Sequence, residues 1–209
     1  MSRPAFLPDW SGETVVIVAS GPSAASAPVS LARGLARVIA VNESWRLAPW
    51  ADALWGCDVD WWDHAGGAPE FAGLKFTVDA RAAEHWPDLR LVPVRRPHYA
   101  IVQEPIGTVG WGGNGGFQAV NFAAHAGARR ILLVGFDMSI RGGLHWHGPH
   151  PGAMANPRAG NVGVWRRTLD GAAAALAAMG VEVVNCSEAS TLRAYPKAPL
   201  EAALGRAAA

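Results

Sequence analysis

Residues 14–23 read TVVIVASGPS, and this stretch decides the fold. Residues 14–19 form a continuous apolar, β-branched run. Such a run marks a strand buried on both faces, which is typical of parallel sheets. It ends in Ser20-Gly21-Pro22-Ser23, a turn. Similar runs follow. Residues 38–42 (VIAVN) and 130–136 (RILLVGF) read as buried strands, as do 51–55 (ADALW) and 181–185 (VEVVN). Residues 74–78 and 89–94 are weaker strand candidates, and Pro93 limits the second to an edge. Helical segments alternate with these runs. They are expected at 28–36, at about 59–64, at 116–126 with Gly127 as the cap, and at 162–179 stopped by Gly180. Alternation of this kind predicts an α/β fold: a Rossmann-like three-layer sandwich around a mostly parallel central sheet. Residues 1–12 form a lead-in broken by Pro4 and Pro8. No linker divides the chain, so residues 1–209 are expected to form one nucleotide-binding domain, with 138–161 as a His-rich active-site loop.

Composition sets outer bounds. A domain of 209 residues can bury a core without disulfides or structural metal. The formal charge of +1 carries no basic block, which argues against wholesale nucleic-acid binding. Cys57 and Cys186 form no CxxC pair and read as reduced thiols. No run of 18 apolar residues is present, and the first residues lack an apolar signal core, so the expected location is the cytoplasm. Ten tryptophans are expected in the core and in pocket walls.

The chemistry is expected at the carboxyl ends of the strands, where open parallel sheets hold their ligands. Gly21 lets the backbone approach a ligand, and Pro22 stiffens the turn. The amides of Ser23 and Ala24, with the Ser23 hydroxyl, are candidates for holding a phosphate or ribose. Asn42 and Asp58 follow the second and third strands and can bind a base or sugar; Asx-turn chemistry explains them equally well. Asn114, Gly115 and Gly116 open the helix at 116–126, whose first amides make an anion site. Gly110, Gly112 and Gly115 also fit G-x-G-x-x-G, with Asp137 following 22 residues after Gly115. That dinucleotide reading is weaker, because Pro105 and Gly107 spoil the strand that should precede it. A Walker A lysine is absent.

The densest chemical feature is HWHGPH at residues 145–150. A neutral imidazole here can act as a general base. Alternatively, His145, His147 and His150 hold a metal. An extended segment would point His145 and His147 the same way, and His147, His150 and Asp137 form another ligand set for Mn²⁺ or Zn²⁺. A third reading has the histidines bonding only to backbone. His64, His85, His98 and His125 are isolated and receive no role.

Taken in order, residues 15–23 (VVIVASGPS), 38–42 (VIAVN), 114–137 (NGGFQAVNFAAHAGARRILLVGFD) and 145–150 (HWHGPH) resemble the bacterial sialyltransferase-like family, glycosyltransferase family 42. Related phage-encoded proteins and the 6-hydroxymethylpterin diphosphokinase-like family share parts of the pattern. The resemblance spans residue 14 to about 190. It implies a nucleotide-sugar-dependent transferase needing no cofactor. Gly21, Ser23 and Asn42 would face the nucleotide, with Asn114, Gly115 and Gly116. Asp137 takes the place of the family's aspartate, and His150, or His147, that of the general base deprotonating an acceptor hydroxyl. The chain also departs from the family. Ser20 replaces glycine or asparagine, the serine of the family's Thr-Ser-Gly is missing, and Trp146 stands where a phosphate-gripping tyrosine is expected. Two other readings therefore stay open: metal-dependent diphosphate transfer from a nucleoside triphosphate, and a non-catalytic nucleotide-binding phage accessory protein. The expected partners are a nucleotide or nucleotide sugar and an unidentified acceptor, in a bacterial or phage-infected cell. Homo-oligomer formation is left open.

Overall fold

The computed structural model describes residues 3–152 and 154–205. Residues 1–2, Ala153 and 206–209, which fall within the expected domain and loop, lie outside the described residues. Strands β1 (Thr14–Val18), β2 (Arg37–Val41), β3 (Ala53–Trp55), β4 (Leu74–Thr77) and β5 (Leu89–Leu91) are followed by a short ribbon, β6 (Val94–Arg95) and β7 (Val109–Gly110). Then come β8 (Arg130–Val134) and β9 (Glu182–Asn185). Seven of these strands form one sheet in the order β5-β4-β3-β2-β1-β8-β9. Every pairing in it is parallel. The fold is α/β and Rossmann-like, as the alternating runs predict.

The period-2 geometry of the strands divides the apolar residues between two cores. Val15 and Ile17, Ile39 and Val41, and Ile131 and Leu133 face one side. Val16 and Val18, Val38 and Ala40, and Leu132 and Val134 face the other. Helices α3 (Gly115–His125) and α4 (Ala159–Ala178) cover the first side. Helices α1 (Val59–His64), α2 (Ala80–His85) and α5 (Leu200–Ala203), with short 3-10 turns, cover the second. After the first residue of each, every position of β1, β2 and β8 is buried, which is why their sequences read as apolar runs.

Every residue of α3 is buried. It packs on the sheet on one side, and the segment carrying β7 closes over another. Two polar side chains fasten that closure. Asn121 Oδ1 accepts from the Val102 and Gly110 amides at 2.9 and 3.0 Å. His125 Nδ1 accepts from the Gly107 amide at 2.6 Å, and its Nε2 lies 2.7 Å from the Val102 carbonyl. His125, an isolated histidine in the sequence, is thus a buried staple. Its pKa is pushed down by burial, which disfavours the charged form. The expected helix at 28–36 is shorter, a 3-10 turn over Val29–Ala32. The expected strand at 89–94 ends at Leu91 on the sheet edge, as Pro93 demands.

Candidate functional site

The strand order places the topological switch between β1 and β8. The chain leaves β1 toward β2 on one side, and leaves β8 toward β9 on the other. Two crossovers that part in this way open a crevice at the carboxyl ends of the strands. A cleft of about 440 Å³ lies there. Gly21, Asn42, Asp58, Asn114, Gly115 and Gly116 line it, together with Asp137, His145 and His150. Residues 60 to 130 positions apart in the chain therefore meet at one rim. Pro22, Ser23, Trp146 and His147 are not among the residues that line it.

The turn after β1 is internally matched. The Gly21 amide donates to the Gly135 carbonyl at 2.9 Å, and the Ala24 amide to the Gly21 carbonyl at 3.0 Å. Asp137 accepts from the Ser23 amide at 3.2 Å and from its hydroxyl at 2.8 Å. The Ser23 and Ala24 donors expected to face a phosphate are held by protein acceptors in this structure. Gly21 is needed for a different close approach from the one expected. A Cβ at this position would lie 2.1 Å from Asp137 Oδ2 and 2.4 Å from the Gly135 carbonyl oxygen. Asp137 thus ties the two switch-point turns together, and its carboxylate is turned to Ser23.

The start of α3 is arranged differently. Asn114 is its N-cap, and Asn114 Oδ1 accepts from the Phe117 amide at 2.9 Å. The next two amides, those of Gly115 and Gly116, have no partner within a helix, and both residues line the cleft. Asn114 Nδ2 and Asn42 Oδ1 are buried and unpartnered. Asn42 also holds a left-handed backbone, with φ of 50°. Asparagine tolerates that conformation better than most residues. Two buried polar atoms without partners, Asn42 Oδ1 and Asn114 Nδ2, on residues that line one cleft are the arrangement expected where a ligand completes the bonding. The competing dinucleotide reading loses its strand, because Gly110 belongs to β7, outside the main sheet.

The histidine loop forms the remaining wall. It is not extended, as the parallel-pointing reading of His145 and His147 requires. The Gly148 amide turns back to the His145 carbonyl at 3.2 Å, and Gly148 has φ of 87°. The turn nevertheless stacks the rings of His145 and His147 with centroids 5.0 Å apart and 5° between planes. The His150 ring lies 4.5 Å from that of His145 and 5.1 Å from that of His147. One ring nitrogen of each falls within 4.8 Å of the others. Asp137 does not belong to this group, so the ligand set His147, His150 and Asp137 is not the one that converges. Trp146 anchors the loop, with its amide on the Ser20 carbonyl at 3.0 Å and Nε1 on Ser44 Oγ at 3.2 Å. It therefore supports the loop and is not among the residues that line the cleft.

Burial lowers the pKa of all three histidines, because a desolvated imidazolium is disfavoured. For His145 the value falls to about 4, with the proximity of His150 and His147 adding to the effect of burial. The Glu43 carboxylate opposes the shift at His147 and His150. At neutral pH the three rings are uncharged and can accept a proton or a cation.

Several lining residues carried no signal in the sequence. Asn156 receives the His150 amide on Oδ1 at 2.8 Å and donates Nδ2 to the His150 carbonyl at 3.2 Å, fixing the backbone of that residue. Asp60, Asp79 and Arg81 reach the cleft from α1 and the start of α2. Trp61, Trp111 and Trp165 supply aromatic walls, which fits the expectation that some tryptophans would line a pocket.

No family model matches the sequence, and neither does any curated protein. The fold is similar to that of the sialyltransferase CstII from Campylobacter jejuni in complex with a substrate analogue, cytidine-5'-monophosphate. The TM-score is 0.58 at 12% identity, covering 90% of this chain and 85% of that one. A second structure, sialyltransferase CST-II with a trisaccharide acceptor and CMP, gives a TM-score of 0.55 at 13% identity over 88% of this chain and 85% of that one. At such identities the likeness is one of fold.

Proposed function

We propose that this chain is a transferase that binds a nucleotide-activated donor, a nucleotide sugar, in the switch-point cleft and passes the activated group to an acceptor hydroxyl. The observation that carries this reading is the meeting of three features on one rim: the unpartnered atoms Asn42 Oδ1 and Asn114 Nδ2, the open start of α3, and the histidine loop. The structures similar in fold hold a cytidine nucleotide.

In this reading the phosphate lies against the Gly115 and Gly116 amides, where the helix dipole favours negative charge. Asn42, with Asp58 beside it, holds the base or ribose. His150 takes the proton of the acceptor hydroxyl as that oxygen bonds to the donor carbon. The nucleoside monophosphate leaves with the electron pair of the broken bond. A positioned base of this kind is worth about 100- to 10,000-fold in rate.

Diphosphate transfer from a nucleoside triphosphate draws less support. Magnesium requires oxygen ligands. The Asp137 carboxylate is turned to Ser23, and Asp79 accepts from the Val59 amide and from Arg81.

The test is turnover of a panel of nucleotide sugars, with His150→Ala beside the unaltered protein. Transfer or donor hydrolysis should fall at least about 100-fold, while the nucleotide-induced rise in melting temperature persists. If no donor turns over and His150→Ala leaves nucleotide binding unchanged, the chain is a binding module and the reading fails.

A further inference from the structure

We propose that His145, His147 and His150 form a site for one divalent transition-metal ion of the zinc type, set in the rim of the cleft. Among the described residues this is the one group of histidine, cysteine or carboxylate side chains with ligand atoms close enough for such a role. Three protein ligands and one open position make the usual zinc site that does chemistry. A tetrahedral ion bound at about 2.0–2.1 Å would place its nitrogens roughly 3.3 Å apart. The ligand atoms lie within 4.8 Å of one another, so the site requires them to draw together by up to about 1.5 Å on binding.

Two further observations point to a cation. His145 Nε2 and His147 Nε2 are buried without a hydrogen-bond partner. Such orphans are uncommon in a folded protein and call for a ligand. The loop also fixes the backbone that carries the rings. The turn closed by Gly148 stacks His145 on His147, and Asn156 grips His150 at both its amide and its carbonyl. Imidazole ligands select zinc and its neighbours in the transition series over magnesium or calcium, which require oxygen.

The charge of the cleft gives the ion a use. Asp58, Asp60, Asp79 and Asp137 line it against one guanidinium, that of Arg81. An anionic phosphate entering this lining meets net negative charge. Three neutral imidazoles leave the charge of the ion uncancelled, and His145 and His150 present it to the cleft. The existence of the site rests on the imidazoles alone; its role in transfer rests on the nucleotide reading above. The two roles of His150 exclude each other, since a ring nitrogen bound to a cation cannot take a proton. His150 acts as base in the ion-free protein; a loaded site would instead hold the positive charge of the ion at the rim.

The test is metal binding by the full chain after chelator treatment. Zinc is titrated against a chromophoric chelator, and cobalt is followed by its visible absorption. One equivalent should bind. His145→Ala, His147→Ala and His150→Ala should each weaken binding by at least about 100-fold, the upper end of what loss of a supporting contact costs. His98→Ala, away from the group, should not. The cobalt spectrum of the unaltered protein should be that of a tetrahedral nitrogen-ligated ion. This readout stands even if a variant fails to fold. Absence of stoichiometric binding, a thiolate charge-transfer band from Cys57 or Cys186, or variants that bind as tightly as the unaltered protein would each overturn the site. Nucleotide-induced stabilisation measured on stripped and loaded protein is independent of this result. Its loss in both forms would refute the nucleotide reading and leave the metal site standing.

Discussion

The two turns that frame the cleft differ in how fully they satisfy themselves. After β1, the donors of Gly21, Ser23 and Ala24 each find a protein acceptor, and the Asp137 carboxylate is turned to Ser23. In the histidine loop the backbone is also fastened, by Ser20 and Asn156, and the Trp146 side chain by Ser44, yet two ring nitrogens are left buried without partners. A region that closes on itself is a frame. A region that fixes its backbone and leaves its side-chain nitrogens open is prepared for a ligand. The glycine turn, the more familiar signature of nucleotide binding, is here the frame, while the start of α3 and the histidine loop carry the open groups.

Substituting the glycine of each turn sharpens this contrast most. Gly21→Ala forces a methyl group against a backbone carbonyl and a carboxylate. It should cost about 3 kcal/mol or more, at or beyond the upper end for overpacking, read as a fall in the urea midpoint at constant slope. Gly148→Ala meets nothing within 4 Å, and only its φ of 87° is unfavourable. It should cost about 1–2 kcal/mol. Equal costs would break the comparison.

Asp137→Ala orphans the two Ser23 donors and loosens the frame. A loss of about 1–3 kcal/mol is expected, with the histidine-loop metal site intact when assayed with cobalt. Trp146→Phe removes one hydrogen bond, to Ser44, and should cost about 1 kcal/mol by the same denaturation measurement.

Acid gives the most diagnostic effect. The folded pKa of each loop histidine lies below its unfolded value near 6.5, and that of His145 is about 4. The unfolded chain therefore binds more protons in this window. Stability of the metal-stripped protein is complete above about pH 6.5 and declines as pH falls toward 4. Glu43 and Asp58 temper the loss at His150, while His64 works in the opposite sense. Melting temperatures across pH 4–7 test this. A triple substitution of the three histidines should flatten that part of the profile.

The fold is written locally, and much of the site is not. The buried strands β1, β2 and β8 are legible because burial on both faces requires uninterrupted apolar residues. The start of α3 is legible because Asn114 is a good cap. Helix α2 is six residues long with one buried position, Ala82, and leaves no periodic trace. Strand β7 has two residues and exists through its pairing with β6. The tie between Ser23 and Asp137 joins residues 114 positions apart, and no spacing rule reaches that far. The histidine cluster itself is visible as a motif. Its convergence is not, because it arises from a turn at residues 145–148 where an extended segment is expected.

The most direct measurement is a structure of the protein with the nucleotide that most raises its melting temperature. The phosphate should lie within hydrogen-bonding distance of the Gly115 and Gly116 amides, with Asn42 Oδ1 paired to the base or ribose. A nucleotide found away from the β1–β8 switch point, or a phosphate held by Ser23 with Asp137 displaced, would contradict the account.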